Sequence, residues 1–148
     1  MTEIDTSLSL AANDGAVPEV TAHQLAAEQV SADAARLPIH EIATFLREQL
    51  GQRMTAYISG VNDPKMVSHW IAQHNTPRDG AQMRLREGYQ AARLLVDSYS
   101  AETAKAWFFS SNARLNDQAP AFVLRHARNW EELRLILPAA RAFIGASG

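Results

Sequence analysis

The chain has no cysteine among its 148 residues. That removes disulfides, thiolate zinc sites and cysteine nucleophiles from consideration together, and it fits a reducing cytoplasm. No apolar run reaches the roughly 18 to 20 residues that cross a bilayer, and the start, MTEIDTSLSLAANDG, lacks the basic-then-apolar order of a signal peptide. A cytoplasmic protein without membrane contact is therefore expected. Glycine-rich phosphate loops and Gly-x-Ser-x-Gly elbows are also missing. The five histidines, His23, His40, His69, His74 and His126, form no His-x-x-x-His or Glu-x-x-His pair. These absences favour a protein that acts by binding, with no metal, no cofactor and no catalytic residue.

What is present is an apolar fraction of 47%, enough for a folded core, and an uneven distribution of charge. Met1 to Thr44 holds seven acidic residues against one basic, a sum of -6. Phe45 to Leu95 holds four against seven, a sum of +3, and Val96 to Gly148 holds five against six. Only the middle segment invites a polyanion.

The periodicity predicts an all-α fold in three parts. Residues 1–37 read as an acidic tail, with a helix over Thr21 to Leu37 marked by Thr21-x-x-Gln24 and the thin stripe Leu25, Val30 and Leu37. In residues 38–97, Ile39, Ile42, Leu46 and Leu50 recur at helical spacing, and a second helix runs from about Leu50 to Gly60. Asp63-Pro64 then opens a short helix to about Gln73, and Thr76-Pro77 opens a longer one bearing Leu85, Tyr89, Ala92 and Val96 on one face. Residues 98–148 hold a helix capped by Ser100, polar turn formers from Ser110, a helix from Pro120, and a last helix capped by Asn129 that Pro138 must kink or split.

Two short helices about a glycine turn suggest a helix-turn-helix. On the second, Val67, Trp70 and Ile71 fall on one face, which predicts that Trp70 anchors the helix while Lys65, Met66, Ser68, His69 and Gln73 point outward to read duplex DNA. Arg78 is a candidate phosphate contact. The same pattern also suits a small α-hairpin with no DNA nearby.

The stretch LGQRMTAYISGVNDPKMVSHWIAQHNTPRDGAQMRLREGYQAARLL resembles the Xre-type helix-turn-helix, with Ala56 at the small-residue position, Gly60 in the turn and Trp70 near the end of the recognition helix. Its span from Gly60 to Trp70 is one residue longer than the usual Xre spacing. AKAWFFSSNARLNDQAPAFVLRH resembles the C-terminal domain of the MbcA/ParS/Xre antitoxins at Trp107, Asn112, Leu115, Pro120 and Leu124, with Asn116 and Asp117 where that family has turn glycines. The resemblance implies an antitoxin that neutralises a RES-domain toxin consuming NAD and represses its own operon as a homodimer. It also implies toxin contacts at Trp107, Asn112, Arg141, Phe143 and Ile144. Two other readings remain open on the residues: a stand-alone repressor whose C-terminal helices serve dimerisation, and an interaction protein that uses the helix-turn-helix as scaffold.

Overall fold

The structure is a computed structural model that describes residues 19–147. Its longest helix is also its axis. Helix α5, Asp79–Ser98, buries ten of its 20 residues, and Gly88, Ala91 and Ala92 keep its middle thin enough for neighbours on several sides. A Cβ on Gly88 would lie 2.9 Å from Ile58 Cδ1 and 3.5 Å from Leu124 Cδ1, so the close approach of three helices requires glycine there.

Around this axis pack α1 (Glu19–Arg36), α2 (Ile39–Leu50), α3 (Gln52–Ser59), α6 (Ala101–Phe109), α7 (Pro120–His126), α8 (Trp130–Leu133) and α9 (Ile136–Ser147). Helix α4, Lys65–Ile71, rests on α2 and α3. A 3-10 turn at Ala113–Leu115 and an isolated bridge between Asn112 and Gln118 connect α6 to α7. The architecture is an all-α multi-helix bundle. No helix among the described residues is long and apolar enough to cross a membrane.

One core runs through all of it, from Val30 and Ala34 on α1 to Ile136, Ala140 and Ile144 on α9. The expected partition at residues 97–98 falls at the last residues of α5, and buried side chains from both sides of it meet in that core. Met1 to Pro18, the first part of the expected tail, lies outside the described residues. Helix α1 is no tail: it packs on α5 and α9, and the residues that face the core are Val30 and Ala34, while Leu25 of the expected stripe is 59% exposed.

Local signals set most helix ends. Ser100 Oγ accepts the Thr103 N–H at 3.1 Å, Asn129 Oδ1 accepts the Glu132 N–H at 3.0 Å, and Pro120 is the first residue of α7. Asn116 and Asp117, standing in for glycines, take φ of 57° and 64°, as side chains that tolerate left-handed backbone can. Pro138 is the third residue of α9, where its missing N–H costs no helical bond, and the split falls before it at Arg134 and Leu135. Two expected starts are displaced. Gly51, at φ 92°, separates α2 from α3, so α3 begins at Gln52. Thr76 caps nothing, because Pro77 is buried and its carbonyl accepts from Gln82 Nε2; the chain stays extended through Arg78 and α5 begins at Asp79.

Three arginines reach across the fold to carbonyls at helix ends. Arg86 Nη1 donates to the carbonyls of Ala34 and Leu37 at the end of α1. Arg84 donates through Nε to Leu124 O at 2.9 Å and through Nη2 to Ala127 O at 2.8 Å, closing α7. Arg125 donates through Nη1 to Tyr57 O and Val61 O at the end of α3, and through Nη2 to Asn62 Oδ1 at 2.7 Å. A cation at a helix C-terminus satisfies orphan carbonyls and meets the negative end of the dipole.

Candidate functional site

Helix α4 is held by a chain of local constraints. Gly60, left-handed at φ 92°, stops α3, with Val61 N–H reaching back to Ala56 O. Asp63 Oδ1 accepts the Lys65 N–H at 3.0 Å and so orders the start of α4. Gln52, the first residue of α3, donates from Nε2 to Pro64 O at 2.9 Å and accepts from Ser68 Oγ at 3.2 Å. From below, Val67 and Trp70 are 0% and 2% exposed. Those contacts fix both the position and the rotation of a helix too short to be stable alone.

Of the six residues expected to face outward, Lys65, His69, Gln73 and Arg78 are exposed. Two are not. Met66 is half-buried against the core, because its position on a seven-residue helix lies beside Val67 and Trp70 where α4 meets the start of α5. Ser68 is half-buried and occupied by Gln52. Helix α4 ends at Ile71, so Gln73 lies beyond it at φ 63° rather than on its face. His74 joins the site unforeseen, its ring centroid 6.1 Å from that of His69.

The charge here is thinner than the segment sum of +3. Arg84 and Arg86 are turned to helix-end carbonyls and Arg93 pairs with Asp97 at 2.9 Å. In residues 51–80 the exposed charges are Arg53, Lys65 and Arg78 against Asp63 and Asp79, a balance of +1.

Beyond α5 in the chain, the five expected toxin contacts are separated by burial. Trp107 and Ile144 are 5% and 4% exposed and belong to the core. Apolar side chains of that size on inward faces of α6 and α9 bury against the bundle first, so neither offers a contact surface. Asn112 Oδ1 accepts the Arg114 N–H at 2.9 Å and thereby starts the 3-10 turn. Arg141 is exposed, and Phe143 is 37% exposed with its ring edge-on to Tyr99 at 5.7 Å.

Three features had no sequence signal. Arg84 and Arg125 act over separations of 40 and 68 residues, which no local pattern encodes. Glu87 lies buried on α5; Gln90 Nε2 donates to it at 3.0 Å and Ser31 Oγ in turn donates to Gln90 Oε1 at 2.8 Å. Burial pushes the Glu87 carboxyl above its ordinary range, against the smaller opposite effects of the Gln90 bond and the Arg134 charge. Among the described residues no three His, Asp or Glu side chains are grouped to hold a metal. No family pattern matches the chain, and neither a curated protein nor a solved structure matches it.

Proposed function

We propose that the chain is a DNA-binding antitoxin that acts by binding rather than catalysis, with α3 and α4 as its helix-turn-helix. The observation that carries the DNA reading is the division of α4: Val67 and Trp70 are locked inward while Lys65 and His69 stand in solvent, with Gln73 and Arg78 exposed in the segment that follows. A recognition helix needs that combination of a fixed rod and free polar ends, because base contacts specify only when their geometry is held. Dimers on two half-sites are the expected assembly, in the cytoplasm.

The second half of the proposal is a protein partner, a RES-type toxin. It is favoured by the placement of exposed large apolar side chains: of eight among the described residues, Tyr99, Phe109, Phe122, Trp130, Leu135 and Phe143 lie beyond α5, and Leu25 and Met83 lie before them. Of these, Tyr99 and Phe143 meet edge-on at 5.7 Å, and an exposed aromatic pair is what a partner surface uses. With Trp107 and Ile144 inside, the contacts on α9 reduce to Arg141 and Phe143, extended by Tyr99.

A salt titration of the full chain on its own promoter and on random duplex tests the first half. Preference for the promoter is expected, and equal affinity for both removes the repressor function. Co-expression with a RES-type toxin, following growth and cellular NAD, tests the second.

A further inference from the structure

Between the end of α4 and the start of α5 lies an open groove of about 550 Å³, a volume in the range of small-molecule sites. We propose that it binds a phosphate group carried on a small organic molecule with a flat apolar ring. This inference does not rest on the DNA reading of α4, since its ligand is free in solution.

Four observations converge there. The first is the start of α5, a 20-residue helix whose N-terminus no side chain among the described residues caps. Its first-turn N–H groups and the positive end of its dipole are an anion site in need of an anion. The second is Arg84. With Nε and Nη2 held by Leu124 O and Ala127 O, the guanidinium is fixed, and Nη1 has no partner among the described residues. Gly80 leaves that nitrogen uncovered, because a Cβ at residue 80 would stand 3.0 Å from it. Arg78 adds a second cation on the rim. Among the described residues no acid lines the groove, and Asp79, exposed in the first turn, is next to Arg78 and Gly80 in sequence.

The third observation is Trp70. It forms part of the groove wall, is 2% exposed, and its Nε1 is buried with no hydrogen-bond partner among the described residues. An orphan indole N–H is costly to leave unmade, and a ligand oxygen admitted by a small shift of the groove wall would satisfy it. The fourth is the rest of the lining: Val61, Met66 and Pro77 supply apolar surface next to the cations. A bare phosphate has no use for that surface, whereas a phosphate ester places its charge at the α5 terminus and its ring against Val61 and Met66.

The test uses the full chain labelled with nitrogen-15, with the Trp70 indole resonance assigned through Trp70→Phe, which keeps a smaller aromatic ring and removes the donor. Adenosine monophosphate, adenosine, inorganic phosphate and a short duplex are titrated separately. Saturable movement of the Trp70 indole and of the Gly80 and Ala81 amides is expected with the monophosphate, more weakly with phosphate, and not with adenosine. Arg78→Ala and Trp70→Phe should each weaken the monophosphate about tenfold, the scale of one lost charge-assisted or buried bond. Arg84→Lys should do the same if its melting temperature holds, and the other two variants stand if it does not. Movement with duplex alone overturns the small-ligand site, as does equal movement with adenosine or no movement at all. Failure of promoter binding leaves this result untouched.

Discussion

The guanidinium of Arg125 sits 4.8 Å from the ring centroid of Tyr57 while donating to the Tyr57 carbonyl at 2.9 Å. One side chain from α7 therefore grips α3 by both its backbone and its ring, at the turn that leads into α4. The surface of α4 is thus positioned partly by residues far along the chain.

Arg125→Ala should destabilise the bundle by about 2 to 4 kcal/mol, since it strips charge-assisted bonds from Tyr57 O, Val61 O and Asn62 and leaves half-buried carbonyls without partners. Arg125→Lys should recover only part of this, because an ammonium cannot fork to three acceptors and stack on Tyr57 at once. Urea unfolding measures both. A loss within about 0.5 kcal/mol for the alanine variant would show that the turn stands without the clamp.

Glu87 gives a pH dependence whose sign is opposite to that of an ordinary surface carboxylate. Its folded pKa is raised by burial, so the fold favours the neutral acid. That contribution is fully present below the unfolded pKa and is lost as pH rises through the raised folded value. Glu87→Gln keeps an acceptor for Gln90 and removes the charge. Its stability relative to wild type should rise from acid toward neutral pH. Unfolding curves at pH 4 and pH 7 compare the two, and an equal difference at both would show that the carboxyl carries no such cost.

Signals confined to a few neighbours were legible in the sequence. Ser100 and Asn129 cap from three residues away, Gly60 stops α3 by its own backbone, and Asn116 and Asp117 turn left-handed in place of glycine. The inward face of α4, Val67 and Trp70, follows from helical spacing. What spacing cannot give is which neighbours arrive. Met66 looks like an outward residue yet lies half-buried against the core, and Leu25 looks like a core residue on a helix that buries Val30 and Ala34 instead. Trp107 and Ile144 read equally well as anchors or as core, and only the packing of α6 and α9 against the bundle decides.

On α4, inner and outer residues should separate cleanly. Trp70→Ala opens a large cavity under a short helix and should cost about 3 to 5 kcal/mol, taking DNA binding with the fold. Lys65→Ala and His69→Ala, both exposed, should change stability by less than about 0.5 kcal/mol. In DNA binding a base contact at either should cost about 1 to 3 kcal/mol and relax specificity, whereas loss of Arg78 as a phosphate contact should lower the salt slope by about one for all sequences alike. Melting curves beside salt titrations resolve the three outcomes, and a Trp70→Ala protein that keeps its melting temperature would reverse the assigned rotation of α4.

The partner surface calls for point substitutions rather than fragments. Helix α9 lies on α5 and α1, and α7 on α3, so a fragment from Ser98 onward loses the opposite wall of its own core and should not fold. Failure of such a fragment to neutralise a toxin therefore says nothing about contacts. Arg141 and Phe143 are the useful positions, because both reach solvent while their neighbour Ile144 holds α9 in place. Phe143→Ala forfeits the edge-on contact with Tyr99 and an apolar side chain whose burial by a partner contributes about 1.5 to 3 kcal/mol. Arg141→Glu reverses a charge on the same helix. Both should keep most of the melting temperature and lose rescue of toxin-expressing cells, while Ile144→Asp should lose both through unfolding. Growth, cellular NAD and circular dichroism of each full-length variant separate these cases. Rescue undiminished in the Phe143 and Arg141 variants together moves the partner contact off α9, and toxicity unrelieved by the unaltered chain leaves a repressor without a toxin.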